Sequence, residues 1–282
     1  MADALMGVTE TSASALANIS QFAQVYLQQQ SKLMPTVSDF SNLAVAGASS
    51  IKLPRSGGFT VGSKSEGTSV DSQIVTYAAD TISLNQHRTV QFLIEDIASK
   101  QAMVQVVQDA IMKASKDLAA DVDAKIIAEL KLGSASTPDH LIQYNDATNE
   151  DIELVDILSA RKLLSDQYID PRECYMGVGT AQEKNMLAID NFISSEKYGN
   201  SEPILQGEIG RIFGMKVIVH AGFGVESCFW HKSAVGFAFQ QGVRVQSQLD
   251  LANLATRYSL DYLAGFEVLD GGKRNVMIAE TP

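Results

Sequence analysis

Basic residues are scarce in this chain: 22 Lys and Arg stand against 33 Asp and Glu in 282 residues, a net charge of −11. That deficit excludes the electrostatic footprint of a protein that grips phosphate backbone. Cysteine is nearly absent. Cys174 and Cys228 are too few for a disulfide scaffold or a four-ligand zinc site, and they read as buried thiols suited to a reducing cytoplasm. Long apolar runs are missing too. Stretches such as Met215 to Val219 fall far short of the roughly 20 residues that cross a bilayer. The first basic residue is Lys32, so the positive n-region of a secretory signal is not expected and the chain reads as soluble, with no membrane partner. Charged residues make up 20% and apolar residues 45%, which excludes a disordered polyanion and supplies a sizeable core for one large domain or two modest ones.

Catalytic and ligand-binding motifs are equally sparse. Gly271-Gly272-Lys273-Arg274 lacks the spacer, the Ser/Thr and the following helix of a phosphate loop, and reads as a turn between strands. Gly222-Phe223-Gly224 lacks the third glycine of a dinucleotide site. His220 and His231 bracket a turn near Cys228 and could approach across a hairpin, but nothing is spaced to complete a tetrahedral metal site. His87 and His140 stand isolated. Asp117, Asp121 and Asp123 interleave with Lys113, Lys116 and Lys125 at helical spacing, the pattern of a solvated, salt-bridged face. No Gly-x-Ser-x-Gly is present. Trp230 beside Phe229 reads as a core anchor. These residues point to no catalytic group, no metal and no cofactor.

What the chain does have is unusual organisation. Leu16, Ile19, Phe22 and Tyr26 predict an amphipathic helix over 13–33, ended near Pro35. Ser50–Pro54 predicts a strand, and the Gly/Ser-rich stretch 56–69 an exposed, mobile loop. Ile82, Leu84, Val90, Phe92 and Ile94 then fall on even positions, the period of a half-buried strand. Together these predict a long hairpin reaching away from the body, of a kind that rests on something else. Asp96 as N-cap, apolar residues from Met103 to Leu130 at spacings of mostly four, and Gly133 as a stop predict a helix over 97–132. It would span about 54 Å, against a width of roughly 48 Å for a compact globule of this length. Either it kinks or the subunit is flat. The remainder reads as mixed α/β. A capping box at Thr148 and Asp151 opens a helix to about Gln167. Strands are expected near 173–178, 216–220, 227–231, 256–269 and 274–279, with a helix near 181–188 and a loop over 191–207.

The order of these parts, and several short segments, carry a resemblance. Ser50-Ile51-Lys52-Leu53-Pro54-Arg55 looks like a strand leading into an extended loop. Leu84-Asn85-Gln86 with Phe92-Leu93-Ile94-Glu95-Asp96 looks like its return into a spine helix. Leu118-Ala119-Ala120-Asp121-Val122-Asp123, Ala160-Arg161-Lys162-Leu163-Leu164 with Ile169-Asp170-Pro171-Arg172, the run Gly207 to Met215, His231–Val235 and Tyr262–Val268 follow in matching order. From about residue 14 onward the chain resembles the major capsid proteins of tailed double-stranded DNA bacteriophages.

The resemblance implies an α+β fold: the tailed-phage major capsid protein fold with N-terminal arm, extended hairpin loop, long spine helix, peripheral domain and axial domain. The implied divisions are arm and helix over 1–34, strand and extended loop over 35–95, peripheral domain over 96–149 and 241–269, and axial domain over 150–240 and 270–282. It implies a phage or prophage structural protein, not an enzyme, that self-assembles through pentamers and hexamers into an icosahedral shell. Packaged DNA would be enclosed without sequence-specific binding. The virion capsid would be its location, with synthesis and assembly in the host bacterial cytoplasm. A separate scaffolding protein or a processed precursor, and a portal, would be its partners. Arg55, Lys64 and Glu66, taken as loop-tip charges, are the candidate subunit contacts. Some members of that family cross-link lysine to asparagine, and Lys64 lies where such a lysine would be, but no asparagine or catalytic carboxylate is identifiable. Two alternatives remain: a bacterial nanocompartment shell around an enzyme cargo, and a small-molecule α/β enzyme using 191–207 as a lid.

Overall fold

The computed structural model describes residues 19–21, 23–28, 30–67, 69, 72–95, 105–136, 140–145, 151–188 and 210–279. Every described residue from 19 to 30 is helical, in line with the expected N-terminal helix, whose first residues lie outside the described ones. Three sheets follow.

The first sheet has the order β1-β10-β11-β4, built from β1 (Ser38–Asp39), β10 (Val235–Asp250), β11 (Ala255–Val268) and β4 (Gln86–Glu95). Its centre is the long antiparallel pair β10–β11, with irregularities around Gln241. The spine helix α1 (Gln105–Ser136) crosses it, continuous over 32 residues and so about 48 Å long. Apolar residues spaced by seven and then by four, Ile111, Leu118, Val122, Ile126 and Leu130, bury against alternate residues of β11, Leu260, Tyr262 and Ala264.

The second sheet has the order β5-β12-β9-β6-β8-β7, from β5 (Leu141–Gln143), β12 (Asn275–Ala279), β9 (Ser227–His231), β6 (Cys174–Val178), β8 (Met215–Val219) and β7 (Arg211–Ile212). It is buried on both faces. Trp230 and Cys228 of β9 join the core under α1, while Phe229 between them joins a second core with Ile157, Ala160 and Leu164 of helix α2 (Leu154–Asp166). Trp230 is the expected anchor, its indole Nε1 donating to the Thr36 carbonyl at 3.3 Å. Helix α3 (Thr180–Ala188) adds Met186 to the second core.

The third sheet is the two-stranded hairpin β2 (Ser50–Ser56) and β3 (Tyr77–Ser83), paired from Ser50↔Ser83 to Ser56↔Tyr77. Ile51, Ile82 and Leu84 close its base in a small core with Ala238 of β10.

Four expectations are corrected. The even-position residues 82–94 do not form one return strand. Ile82 belongs to the hairpin, whereas Val90, Phe92 and Ile94 lie on β4, which leaves the hairpin to pair with β11. Two residues, Leu84 and Asn85, suffice to switch sheets. Gly133 does not stop the helix, which runs to Ser136. A Cβ there would lie 2.8 Å from Val268 Cγ1 and 2.9 Å from Asn275 Nδ2, so the glycine admits β11 and β12 to the helix surface. The capping box of α2 is Glu153 with Asp156, not Thr148 with Asp151. Finally, β10 went unpredicted, because polar residues from Gln240 to Gln248 mask its alternation. It also crosses the expected division at 240/241, and β5, expected in the peripheral part, pairs with β12. Asp96, the helix start at 97–104, Thr148 and the loop 191–207 lie outside the described residues.

Candidate functional site

The hairpin positions the candidate contact residues, and it separates them. Lys64 and Glu66 lie at its distal end, exposed. Arg55 does not sit at the tip. It lies within β2 and forms an ion pair with Asp270, with Asp80 at 3.9 Å. The Asp270 N–H donates to Asp80 Oδ2 at 3.1 Å, and Arg274 Nε donates to Asp270 Oδ2 at 3.1 Å. Arg55 therefore ties the hairpin to the turn before β12, where Gly271 and Gly272 take φ +60° and +80°. That turn is the expected one, and its Arg274 is engaged with Asp270 and Ser233 rather than offered to a phosphate.

Beyond Arg55 the two limbs of the loop hold each other. Gly57 N–H donates to Thr76 O at 2.7 Å. Further out, Gln73 acts as a surrogate strand residue: Thr60 N–H donates to its Oε1 at 2.9 Å, and its Nε2 donates to the Thr60 carbonyl. Thus the loop is braced, while its apolar side chains are uncovered. Phe59 is 63% exposed, Val61 96%, Ile74 92% and Tyr77 74%. Exposed large apolar groups grouped on one projection mark a surface built to be covered. Leu249, Leu251 and Leu254 form a second exposed group at the β10–β11 turn.

The histidines do not assemble. β8 and β9 lie on opposite sides of β6, so the expected approach of His220 and His231 across a hairpin does not occur. His220 Nδ1 accepts from Gly222 N–H at 3.0 Å, and its Nε2 lies 3.7 Å from Asp123 Oδ2. His231 meets Ser233 Oγ at 2.8 Å and Glu173 Oε2 at 3.3 Å, engaging both ring nitrogens. His87 faces Asp261 at 3.1 Å, and buried His140 faces the Asn275 carbonyl at 2.7 Å. Among the described residues no group of three or more His, Cys, Asp or Glu could hold a metal ion. Burial pushes both thiols up to about 12, which makes Cys174 and Cys228 poor nucleophiles. A cavity of about 330 Å³ lies beside Tyr168 and the pairs Glu173–His231 and Asp270–Arg274. No described helix is long and apolar enough to cross a membrane.

The helix aspartates were misread from sequence. Asp123 is buried, and accepts from Ser31 Oγ at 2.6 Å, Lys32 N–H at 3.1 Å and Leu33 N–H at 3.2 Å. Asp121 accepts from Tyr262 Oη at 2.7 Å and faces Arg88 at 3.3 Å. Of the three, Asp117 alone is exposed as expected. One further acid was not singled out. Burial, with repulsion from Glu267, raises Glu129 of α1 to about 7. Glu267 is itself raised by burial and then by Asp80 at the hairpin base.

Comparison with known proteins places this geometry. The family model described as phage capsid protein matches residues 19–256. No curated protein matches. Among solved structures, one from Mycobacterium phage Che8 is 16% identical with a TM-score of 0.71, over 89% of this chain and 91% of that one. The capsid of Cyanophage P-SCSP1u is 13% identical with a TM-score of 0.73, over 87% of each chain. A virus-like particle from Pyrococcus furiosus is 10% identical with a TM-score of 0.60, over 93% of this chain and 98% of that one. The similarity to these structures is one of fold.

Proposed function

This chain belongs to the phage capsid protein family, and from that premise we propose that it is the major subunit of an icosahedral shell built from pentamers and hexamers. The hairpin carries the reading: it projects Phe59, Val61, Ile74 and Tyr77 into solvent from a base fixed to the body by Arg55, Ile51 and Ile82. A projection anchored at one end and apolar at the other is suited to lie over a neighbouring subunit. Interface area, rather than catalysis, is the working chemistry of such a protein. The spine helix with the four-stranded sheet forms the peripheral part, and the six-stranded sheet with α2 and α3 the axial part. Lys64 and Glu66 are contact residues at the far end of the hairpin, and Arg55 sets the hairpin's bearing from its base.

The shell encloses double-stranded DNA, and a scaffolding protein and a portal take part in its assembly in the bacterial cytoplasm. The charge of −11 suits a container. Many copies of a basic wall would hold phosphate through released counterions, whereas an acidic wall leaves the genome free to slide in and out.

Sedimentation and negative-stain microscopy of the protein, expressed with its scaffold, test the proposal. Rings or closed shells are expected. A monodisperse monomer under all conditions would overturn it. Nuclease treatment and mass spectrometry of isolated particles separate a genome shell from one enclosing an enzyme cargo.

A further inference from the structure

The hairpin meets the body at a junction of four elements whose charges do not balance. The turn before β12 supplies Asp270, which pairs with Arg55 of β2 and accepts from Arg274 Nε at 3.1 Å. Asp80 of β3 accepts the Asp270 N–H at 3.1 Å and lies 3.9 Å from the Arg55 guanidinium. Glu267 stands near the end of β11, and Glu129 stands on the spine helix one turn before Gly133. The carboxylates of Glu129, Glu267, Asp80 and Asp270 thus meet the cations Lys125, Arg55 and Arg274, four charges against three. Nearby, Lys273 is exposed in the turn, Lys52 lies on the opposite face of β2, and Lys131 is paired with Glu226.

Both arginines are committed to Asp270. Glu267 is left between two acids: burial and then Asp80 raise it, and among the described residues it has no ion-pair partner. Burial and then Glu267 raise Glu129 to about 7, with Lys125 opposing. A proton shared by Glu129 and Glu267 brings the junction to charge balance. Its loss leaves one negative charge in excess at a half-buried place, where water screens weakly.

The helix, β11 and the turn cannot yield to that excess. A Cβ at Gly133 would lie 2.8 Å from Val268 Cγ1, and one at Gly272 would lie 2.1 Å from the Gly133 carbonyl oxygen, so these elements are in close backbone contact. The hairpin is the compliant element. Leu84 and Asn85 alone join it to β4, and its apolar base is small, with Ile51, Ile82 and Leu84 on Ala238. Ser83 O lies 2.4 Å from where a Cβ of Gly265 would stand, which makes that contact the pivot. The hairpin charge that acts on Glu267 is Asp80, because Arg55 is turned to Asp270. Repulsion along Glu129, Glu267 and Asp80 is relieved by moving β3 away from β11.

We infer that the Glu129–Glu267 pair is a proton-operated latch on the hairpin: with its proton it lets Asp80 close on β11, and without it the hairpin swings outward about Leu84 and Asn85. The device belongs to the single subunit and goes beyond the shell reading, which stands whether or not the latch exists.

Hydrogen exchange of the unassembled subunit, corrected for the intrinsic effect of pH on exchange, tests it. From about pH 6 to about pH 8, protection at 50–56 and 77–83 should fall about tenfold, within the ceiling of about 300-fold set by a rise from 4.5 to about 7. Protection in 105–136 and 227–231 should hold. E129Q and E267Q should each keep the hairpin protected at both pH values, and R55Q should leave it open at both. Hairpin protection that ignores pH would overturn the inference, as would a pH response that survives in both glutamine variants. A fall shared equally by the hairpin, the spine helix and β9 would overturn it too, since the proton would then stabilise the whole subunit rather than a latch. Should one glutamine variant fail to fold, the other carries the comparison.

Discussion

Asp123→Ala should do more damage than any other single carboxylate removal on the spine helix. The carboxylate accepts three hydrogen bonds from Ser31, Lys32 and Leu33, all more than 89 residues away in sequence. Ser31 Oγ in turn accepts from Met34 N–H at 3.1 Å, so one side chain fixes the turn that carries the N-terminal segment off the helix. Bonds to a charged acceptor contribute about 1.5–3 kcal/mol each, and a buried donor left without an acceptor costs about 1–3 kcal/mol. The three are not additive, and the half-buried Lys32 N–H regains water, so the net loss is about 3–5 kcal/mol. At about 2–4 °C per kcal/mol, the midpoint of the unassembled subunit should fall by roughly 6–20 °C. Asn, keeping one acceptor oxygen, should lose about half as much. A local readout accompanies the global one. Lys32 is a trypsin site whose backbone is held by Asp123, so cleavage after Lys32 should accelerate in native buffer. An unchanged midpoint with unchanged cleavage would refute the view of Asp123 as the joint between arm and spine.

Stability should fall as pH rises from about 4.5 to about 7 and then level off at this site, because the folded chain holds the Glu129 proton more tightly than the unfolded one. Glu129→Gln should flatten that slope in a pH series of urea midpoints, and an unchanged slope would assign it elsewhere. Gly272→Ala should cost about 2–4 kcal/mol, since its φ is +80° and a Cβ would lie 2.1 Å from the Gly133 carbonyl oxygen. Gly58→Ala, with nothing within 4 Å, should stay within about 0.5 kcal/mol of wild type in the same denaturation assay. Tyr262→Phe should cost about 1–2 kcal/mol through the lost bond to Asp121. Equal urea midpoints for the two proteins would show that bond to be dispensable.

How much was legible in the sequence depended on whether the signal was local. The spine helix shows itself because its apolar residues recur at spacings of about four, and β11 because Leu260, Tyr262, Ala264 and Phe266 alternate. Its partner β10 does not, because bulges near Gln241 and a polar outer half break the alternation. The even-numbered run 82–94 kept one period through two strands in two sheets, since a two-residue link preserves parity. Asp121 and Asp123 read as a solvated face because lysines sit at helical spacing, while the groups that engage them, Tyr262 and Ser31, lie far off in sequence. Gly133 looked like a stop because a glycine after an apolar run ends many helices. The reason it is glycine is the approach of Val268 and Asn275, which no local pattern records.

The hairpin is the sharpest case, because its segment 56–69 reads as a Gly/Ser-rich loop and yet holds Phe59 and Val61, both exposed. Covering Phe59, Val61, Ile74 and Tyr77 would gain about 1.5–3 kcal/mol apiece, so about 6–12 kcal/mol for one hairpin. Bringing two bodies together costs about 4–15 kcal/mol before any contact is made. One hairpin on one neighbour is then close to balance, and a pair of subunits joined only there should exchange freely. A ring changes the arithmetic, since every subunit both gives a hairpin and receives one, and the last contact closes without a further loss of translational freedom. Weak pairs and durable rings are what a shell needs, because misplaced subunits can leave before closure and placed ones cannot afterwards. Removing two of the four side chains, with Phe59→Ser and Val61→Ser together, should therefore abolish closed shells while leaving the monomer's thermal midpoint unchanged. Sedimentation at several concentrations would show it, and shells surviving that double change would mean that the driving force lies elsewhere, with the exposed leucines of the β10–β11 turn as the next place to look.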